Sequence, residues 1–490
     1  FTLYSWDFKR FRKLVGIISK SDFILFLNCK KSLWLLKNKP EKFIEGESSN
    51  FEKRLSAQGE EVERYVLKLF EDRRNFKTQI EFKTQDGLYS KADITEYLDD
   101  DFINIYEIKS TTSIKTGPPH DQIKDAAFQT LVAEQSGKTV KDIFIIHLNK
   151  EYIKKGDIKP QELLVLSNQT ENVRKIIPQT RNEINAAQEL IKNQQINEQN
   201  CSCLYSGKSN HCDNFKYFNQ QIPEKSFYLL PRIHKNKIKT FVDENRYNLD
   251  LIREEELSEN QALVLESHKK NQPIVNREVI NNFFSIIEYP LHFLDYETFN
   301  SAIPLIDRTS PHAHIPFQFS IHKIEDQNHV DNFSHKEYLS GELKLPEELI
   351  NKLEQCISPS GSIISWNKSF ENTRNKEMGE LFPSKQNFLS NLNDRTIDIA
   401  DIFKIGYVDI EFEGSISLKK VLPVFIPELS YENLEVSGGT DAMIEWFKMI
   451  ETKEESQKKM IRKNLLKYCE LDTLAMVKIF QKLKKNFHFK

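Results

Sequence analysis

The sequence predicts an α/β chain with more than one folded unit. Three observations carry this. Short runs rich in β-branched and aromatic residues alternate with longer stretches of helical periodicity. The 490 residues exceed one ordinary domain. Hydrophobic residues make up 39% of the chain and include 34 Phe, enough to fill ordinary cores.

The elements follow in order. FILFLNCKKSLWLL (23–36) has apolar positions at helical spacing, and a second helical pattern runs over 55–73. GLYSKADITEYL (87–98) and FINIYEIKST (102–111) read as strands joined through the acidic turn Asp99–Asp101. DQIKDAAFQTLVAEQSG (121–137) is an amphipathic helix closed by Gly137. KDIFIIHLN (141–149) is a strand, and a polar helix over 171–199 leads to three cysteines. Residues 220–285 read as a connector. LHFLDYETF (291–299), FQFSIHKI (317–324) and SIISW (362–366) are strands of a second unit, TIDIADIF (396–403) is ambiguous, and 458–485 form a long helix. The predicted organisation is therefore 1–219, 220–285 and 286–490.

Composition narrows the function classes. The formal net charge of −3 argues against a polybasic binder. Residues 1–54 carry 12 basic and 6 acidic groups, which reads as a solvated face. Six cysteines in this length are no disulfide scaffold and point to a reducing, cytoplasmic compartment. No run approaches the roughly 18 apolar residues of a membrane span. The opening FTLYSWDFKRFRK does not read as a signal peptide.

Three constellations carry chemistry. The first is Asp93, Glu107 and Lys109. Residues two apart on a strand share a face, so Glu107 and Lys109 point together, and a hairpin sets Asp93 beside Glu107. Two carboxylates with the Ile108 carbonyl suit Mg²⁺, and Lys109 can orient an attacking water. The second is Cys201, Cys203 and Cys212, with Cys29 as a distant fourth. Thiolates suit iron–sulfur clusters and zinc alike, and His211 beside Cys212 keeps zinc open. Cys356 and Cys469 read as core residues. The third is Asp295 and Glu297 on one strand face, with Tyr468 and Asp472 four apart on a half-buried helix. Converging acids fit a two-ion phosphoryl-transfer site.

The first constellation resembles the PD-(D/E)xK nucleases, specifically their RecB-like branch, over 17–219. The resemblance implies a restriction-endonuclease-like domain with Asp93, Glu107 and Lys109 at its metal and water positions, and Gln129 as the helix glutamine that follows. Ala133 stands where that family usually has a Tyr, and Glu60 and Glu63 stand where its helix often has a His. In such nucleases three clustered cysteines and a distant fourth hold a 4Fe–4S cluster, with zinc as the alternative. The third constellation resembles the DEDD 3′–5′ exonucleases of the ribonuclease H-like fold. Asp295-Tyr-Glu297 matches the first motif and Tyr468-x3-Asp472 the third. Glu371, in WNKSFE, stands where the second motif usually has Asp, with Asp398 in TIDIADIF as the reserve candidate. Together with FLDYETF, IPFQFSIH, GSISLKKVLP and YCELDT, the combination resembles a poorly defined bacterial family of two-nuclease proteins.

The resemblance implies a nuclease that uses Mg²⁺ or Mn²⁺ on DNA, single- or double-stranded, or on RNA, and that removes nucleotides from a 3′ end at the C-terminal site. The departures at Ala133, Glu371 and the missing His motivate the alternative of a nucleic-acid-binding scaffold with one or both sites inactive.

Overall fold

The computed structural model describes residues 16–46, 50–72, 75–118, 120–432 and 434–487. The opening segment, and with it part of the basic stretch, lies outside them. The chain is a mixed α/β protein. It divides into two units. One holds residues 1–224, 234–245 and 301–312, and the other holds 225–233, 246–300 and 313–490. Residues 220–285 are thus shared between the units. No helix among the described residues is long and apolar enough to cross a membrane.

In the first unit, a short strand β1 (Ile18–Ser19) leads into two helices, α1 (Lys20–Asn28) and α2 (Lys30–Asn38). The sequence predicts one continuous helix here. Cys29 breaks it, with extended backbone at φ −154° and ψ 101°. Asp22 caps α1 with Ser19, and its carboxylate meets Lys37 of α2 at 2.9 Å. Both side chains are fully buried, so the pair locks the two helices together around the break. Next come α3 (Asn50–Phe70), β2 (Phe76–Lys83), β3 (Leu88–Tyr97), β4 (Phe102–Ile108), α4 (Gln122–Gln135), β5 (Thr139–Leu148), β6 (Leu164–Asn168) and α5 (Thr170–Lys192). The sheet runs β1-β3-β4-β5-β6, with β2 on β3. Strands β2 and β6 are absent from the sequence reading, because their exposed positions are largely polar. The sheet is covered on both faces. Ile103, Ile105, Ile143 and Ile145 pack with Ala126, Ala127 and Phe128 of α4. Ile94, Tyr106 and Ile146 pack with Val62, Val66 and Phe70 of α3.

The second unit is built on β7 (Leu291–Phe299), β8 (Ile315–Ile324), β9 (Phe333–Leu339), β10 (Ile363–Ser365) and β11 (Thr396–Asp398). Their spatial order is β9-β8-β7-β10-β11. The first three pair antiparallel, while β10 runs parallel to both β7 and β11. Thr396–Asp398 of the ambiguous TIDIADIF segment is therefore a strand. Helices α6 (Glu347–Cys356), α7 (Ser369–Leu381), α8 (Gln386–Asp394), α9 (Gly439–Glu451) and α10 (Glu455–Phe487) complete the frame. One cluster joins Leu291, Phe293 and Ile364 to Ala475, Ile479, Phe480 and Leu483 of α10. A second joins Leu294, Tyr296 and Ile363 to Leu349, Leu353, Met378 and Leu389. Strand β7, between them, is buried on both faces.

Entry into β10 depends on Gly361, whose φ is +89° and where an added Cβ would stand 2.1 Å from Pro290 O. That oxygen is backbone and cannot rotate away. Gly361→Ala is expected to destabilise the protein by more than about 1 kcal/mol, read by denaturant unfolding. A neutral result would show that the turn is free to relax.

Candidate functional site

The first site sits where β3, β4 and α4 meet. Antiparallel β3–β4 pairing places Ile94 opposite Tyr106, which sets Asp93 beside the end of β4. Asp93 Oδ2 accepts the Ile108 N–H at 2.8 Å. Glu107 shares strand parity with Ile103 and Ile105, so it faces α4. There Gln129 Nε2 donates to Glu107 Oε2. Glu107 Oε1 meets Lys109 Nζ at 2.8 Å and Lys20 Nζ at 2.7 Å. Lys109 also meets Asp125 Oδ2 at 2.8 Å. All four predicted residues thus lie in one group, and Lys20 and Asp125 join them. Asp125 precedes Gln129 by four residues, so helical spacing could have flagged it. Lys20 is distant in sequence, and no local pattern points to it. Glu63 instead accepts from Gln79 at 2.9 Å, and Glu60 is exposed.

Charge is nearly balanced here. Burial works to raise the Glu107 carboxyl, but Lys109 and Lys20 outweigh it and hold the group at about 2. Burial and the neighbouring Glu107 charge push Asp93 up to about 7. Burial alone would lower Lys109, yet Glu107 and Asp125 keep its ammonium protonated.

The cysteines form a second group in the same unit. One Sγ from each of Cys29, Cys201, Cys203 and Cys212 lies within 4.8 Å of the others. Cys29 reaches the group because the helix breaks at that residue. Trp34 Nε1 donates to Asn193 O at 2.7 Å, and Asn214 Oδ1 accepts the Ile44 N–H at 2.8 Å. These bonds draw the segment after α5 against the α1–α2 region. Asn219 Nδ2 donates to Cys201 Sγ at 3.2 Å. Cys29, Cys201 and Cys203 are buried. Hydrogen bonds from the other three thiols lower the Cys29 thiol. His211 lies outside the group, stacked on Phe215 with Nε2 3.1 Å from Ser206 O. Four sulfurs in this arrangement can hold a metal ion.

The third group lies in the second unit. Asp295 and Glu297 leave β7 on one face, beside a register shift between Glu297 and Thr298. Asp472 comes from the buried stripe of α10, in step with Leu465, Tyr468, Cys469 and Met476. Gln318 Nε2 donates to Leu465 O at 2.9 Å and ties that helix to β8. Glu371 comes from the first turn of α7. Tyr296 Oη donates to Asn375 Oδ1 at 2.9 Å, one turn after Glu371, and ties α7 to β7. The reserve candidate Asp398 borders the group, where its charge acts on Glu371. Its carboxylate accepts the Asn367, Lys368 and Ala400 N–H groups, each at 3.0 Å, and so fixes the start of α7.

These acids act on one another. Burial pushes Asp295 well above the carboxylate range, and Asp472, Glu297 and Glu371 push it further. Burial and Asp472 do the same to Glu297, against a smaller pull from Lys419. Asp472 rises to about 6 through burial, although Tyr431 and Tyr468 hydrogen-bond to it. Burial, with Asp398 adding to it, takes Glu371 to about 8, and its Oε2 has no hydrogen-bond partner among the described residues. Three further residues complete the site. Tyr431 donates to Asp472 Oδ1. Lys419 Nζ lies 5.7 Å from the Tyr431 ring and 5.6 Å from the Tyr468 ring. Cys469 is buried as expected, but its Sγ lies 3.7 Å from Asp295 Oδ2, inside the group. Its place beside Tyr468 on the helix was the available signal. Tyr431 comes from a segment with no motif, and Lys419 from GSISLKKVLP, to which the resemblance attaches no residue role.

A family model described as "Domain of unknown function (DUF2779)" matches residues 292–417. The match contains Asp295, Glu297 and Glu371 and ends before Tyr468 and Asp472. The chain is similar to "Uncharacterized protein UU173" of Ureaplasma parvum, at 27% identity over 243 residues, 44% of this chain and 34% of that protein. It is also similar to "Uncharacterized protein MG366 homolog" of Mycoplasma pneumoniae, at 28% identity over 207 residues, 38% of this chain and 31% of that protein. The chain therefore spans about a third of the length of these curated relatives. A solved structure titled "Crystal structure of SSO0001" matches at 13% identity and a TM-score of 0.23, covering 35% of this chain and 76% of that chain.

Glu371 sets a pH test. Its folded carboxyl binds a proton more tightly than its unfolded one, from about 8 down to the ordinary 4.5. The folded state therefore holds more protons across that window, and this group's contribution to stability falls as pH rises through it. In chelator-treated protein, Glu371→Gln is expected to flatten the decline, with an upper limit of about 1.4 kcal/mol per pH unit. Thermal unfolding between pH 5 and about 8 checks this. An unchanged slope would mean that Glu371 is solvated.

Proposed function

We propose that the chain is a metal-dependent nuclease with two active sites, and that the second unit removes nucleotides from a 3′ end. One observation carries this reading. Asp295, Glu297, Glu371 and Asp472 converge in a buried setting, with Lys419 the one cation acting on Glu297 and Asp472 among the described residues. Four ionised carboxylates cannot share such a site without added positive charge. The β9-β8-β7-β10-β11 order, with two parallel pairings after three antiparallel strands, supports the ribonuclease H-like architecture that the motifs imply. The 3′–5′ direction rests on the motif resemblance.

The donor set is all oxygen at the acids, which suits Mg²⁺ or Mn²⁺. When bound, such ions would supply the charge that activates water and stabilises the leaving oxygen. The chain's own groups do the rest. The β7 pair and the α10 acid hold fixed positions on rigid elements. The Tyr468 hydroxyl, beside Asp472, orients the attacking water. Lys419 adds positive charge next to Glu297, where a substrate phosphate would sit. In the first unit, Asp93 and Glu107 are the acid pair. Lys109 holds a proton against the developing charge on phosphate. An ion there would displace Lys20 from Glu107.

We assign the four cysteines to a 4Fe–4S cluster, with zinc as the alternative. An all-sulfur set within bonding reach of one centre, with His211 turned elsewhere, supports this. The group would be structural, closing the first unit across the α1–α2 break. Anaerobically purified protein is expected to be brown, and Cys29→Ser to lose the colour. A colourless preparation holding one zinc per chain would decide for zinc.

The activity test uses 5′- and 3′-labelled single- and double-stranded DNA with Mn²⁺. Asp295→Asn and Asp472→Asn should each lower 3′-end degradation by at least about 10²-fold without loss of fold. Lys109→Ala should remove only what the first site contributes. Undiminished degradation in the Asp295 and Asp472 variants would sink the exonuclease reading. Tight DNA binding with no turnover in the unsubstituted chain would favour a scaffold.

A further inference from the structure

Strands β8 and β9 and helix α10 bring together another set of ligating side chains. His322 and His335 are direct cross-strand partners, so their side chains leave the sheet on one face. Their rings stack with centroids 4.5 Å apart and planes at 24°. Glu470 reaches them from α10, with Oε1 3.8 Å from His335 Nδ1. One ligand atom from each of the three lies within 4.8 Å of the others.

The surroundings orient both rings. His322 Nδ1 is 2.8 Å from Thr473 Oγ1, Thr473 Oγ1 is 2.7 Å from Ser320 Oγ, and Ser320 Oγ is 2.9 Å from His335 Nε2. This bridge of two buried hydroxyls engages one nitrogen of each imidazole. The other nitrogens, His322 Nε2 and His335 Nδ1, remain for a ligand. Proteins commonly fix a metal-binding imidazole through its far nitrogen in this way.

The geometry points to a transition-metal site formed by His322, His335 and Glu470, separate from the carboxylate group and the cysteines, that takes Zn²⁺ or an ion of similar preference. Two imidazoles and one carboxylate suit zinc and cobalt, whereas Mg²⁺ favours all-oxygen sets. Three protein ligands leave a fourth position open. The Glu470 side chain is 45% exposed and that of His335 23%, so an ion reaches the site from solvent. Glu470 lies on α10 between Cys469 and Asp472. An ion here would pin that turn of α10 to β8 and β9, and so steady Asp472. This last consequence rests on the nuclease reading, while ion binding itself does not.

The test is a Co²⁺ titration of the full chain, followed by absorption and by counting bound metal. Cobalt held by nitrogen and oxygen shows weak visible bands without the intense thiolate charge transfer that the cysteines would give. His335→Gln and Glu470→Gln change partly exposed side chains. Each is expected to weaken the nitrogen–oxygen signal at least about tenfold, or to lose one equivalent, with the absorption of the cysteine centre unchanged. Zn²⁺ should compete and excess Mg²⁺ should not. Asp295→Asn should keep the signal, which separates this site from the carboxylates and from any failure of nuclease activity. Unchanged Co²⁺ binding in both glutamine variants, or equal competition by Mg²⁺, would overturn the assignment.

Discussion

The burial of like charges governs the second unit. Asp295, Glu297, Glu371 and Asp472 converge inside packed walls, where the charges of Asp472 and Glu371 raise the cost of ionising Asp295 and Glu297, and Glu297 raises that of Asp295. The groups that fix them in place are largely neutral. Tyr296 and Asn375 tie α7 to β7, and Gln318 ties α10 to β8. Neutral anchors hold position without cancelling charge. The outcome is a rigid, under-compensated acidic site, which is a poor arrangement for stability and a good one for holding cations. Apolar packing on both faces of β7 supplies the stability that the acids take away.

The first unit handles the same problem differently. Lys20 and Lys109 share Glu107 Oε1, and Gln129 takes the other oxygen. Glu107 is therefore satisfied by the chain itself, and Asp93 carries the unmet demand, with one oxygen bonded to the Ile108 N–H. A cation entering here competes with an ammonium group, whereas one entering the second unit meets little competition. On the nuclease reading, the two sites would therefore differ in their demand for metal.

Much of this was legible from periodicity. Strand alternation alone puts Asp295 with Glu297 and Glu107 with Lys109. Helical spacing alone puts Tyr468 with Asp472. The three close cysteines were plain from their crowding, but the reason Cys29 joins them was not. FILFLNCKKSLWLL reads as one helix, and the break shows only through tertiary locking by Asp22 and Lys37. Lys20 and Tyr431 were invisible because each is far along the chain from the group it touches, and no motif surrounds it, while Lys419 stands in GSISLKKVLP, where the resemblance attaches no role to it. Asp398 carries a task that no motif announces. Its sequence position suits a ligand, yet three backbone N–H groups claim its oxygens.

The cysteine group bears on how a metal would couple to folding. A site whose ligands meet only in the bound state makes metal binding part of folding. Here the elements around the sulfurs are already fastened by other means. Asp22 with Lys37 fixes α1 to α2, Trp34 reaches Asn193, and Asn214 holds Ile44. These bonds fasten the walls of the cradle alongside whatever the sulfurs hold. Four thiolates so close together would repel, so without an ion the group must retain protons, and binding must release them. A metal there would add charge and cross-linking to walls that other bonds also fasten, with an affinity that rises with pH.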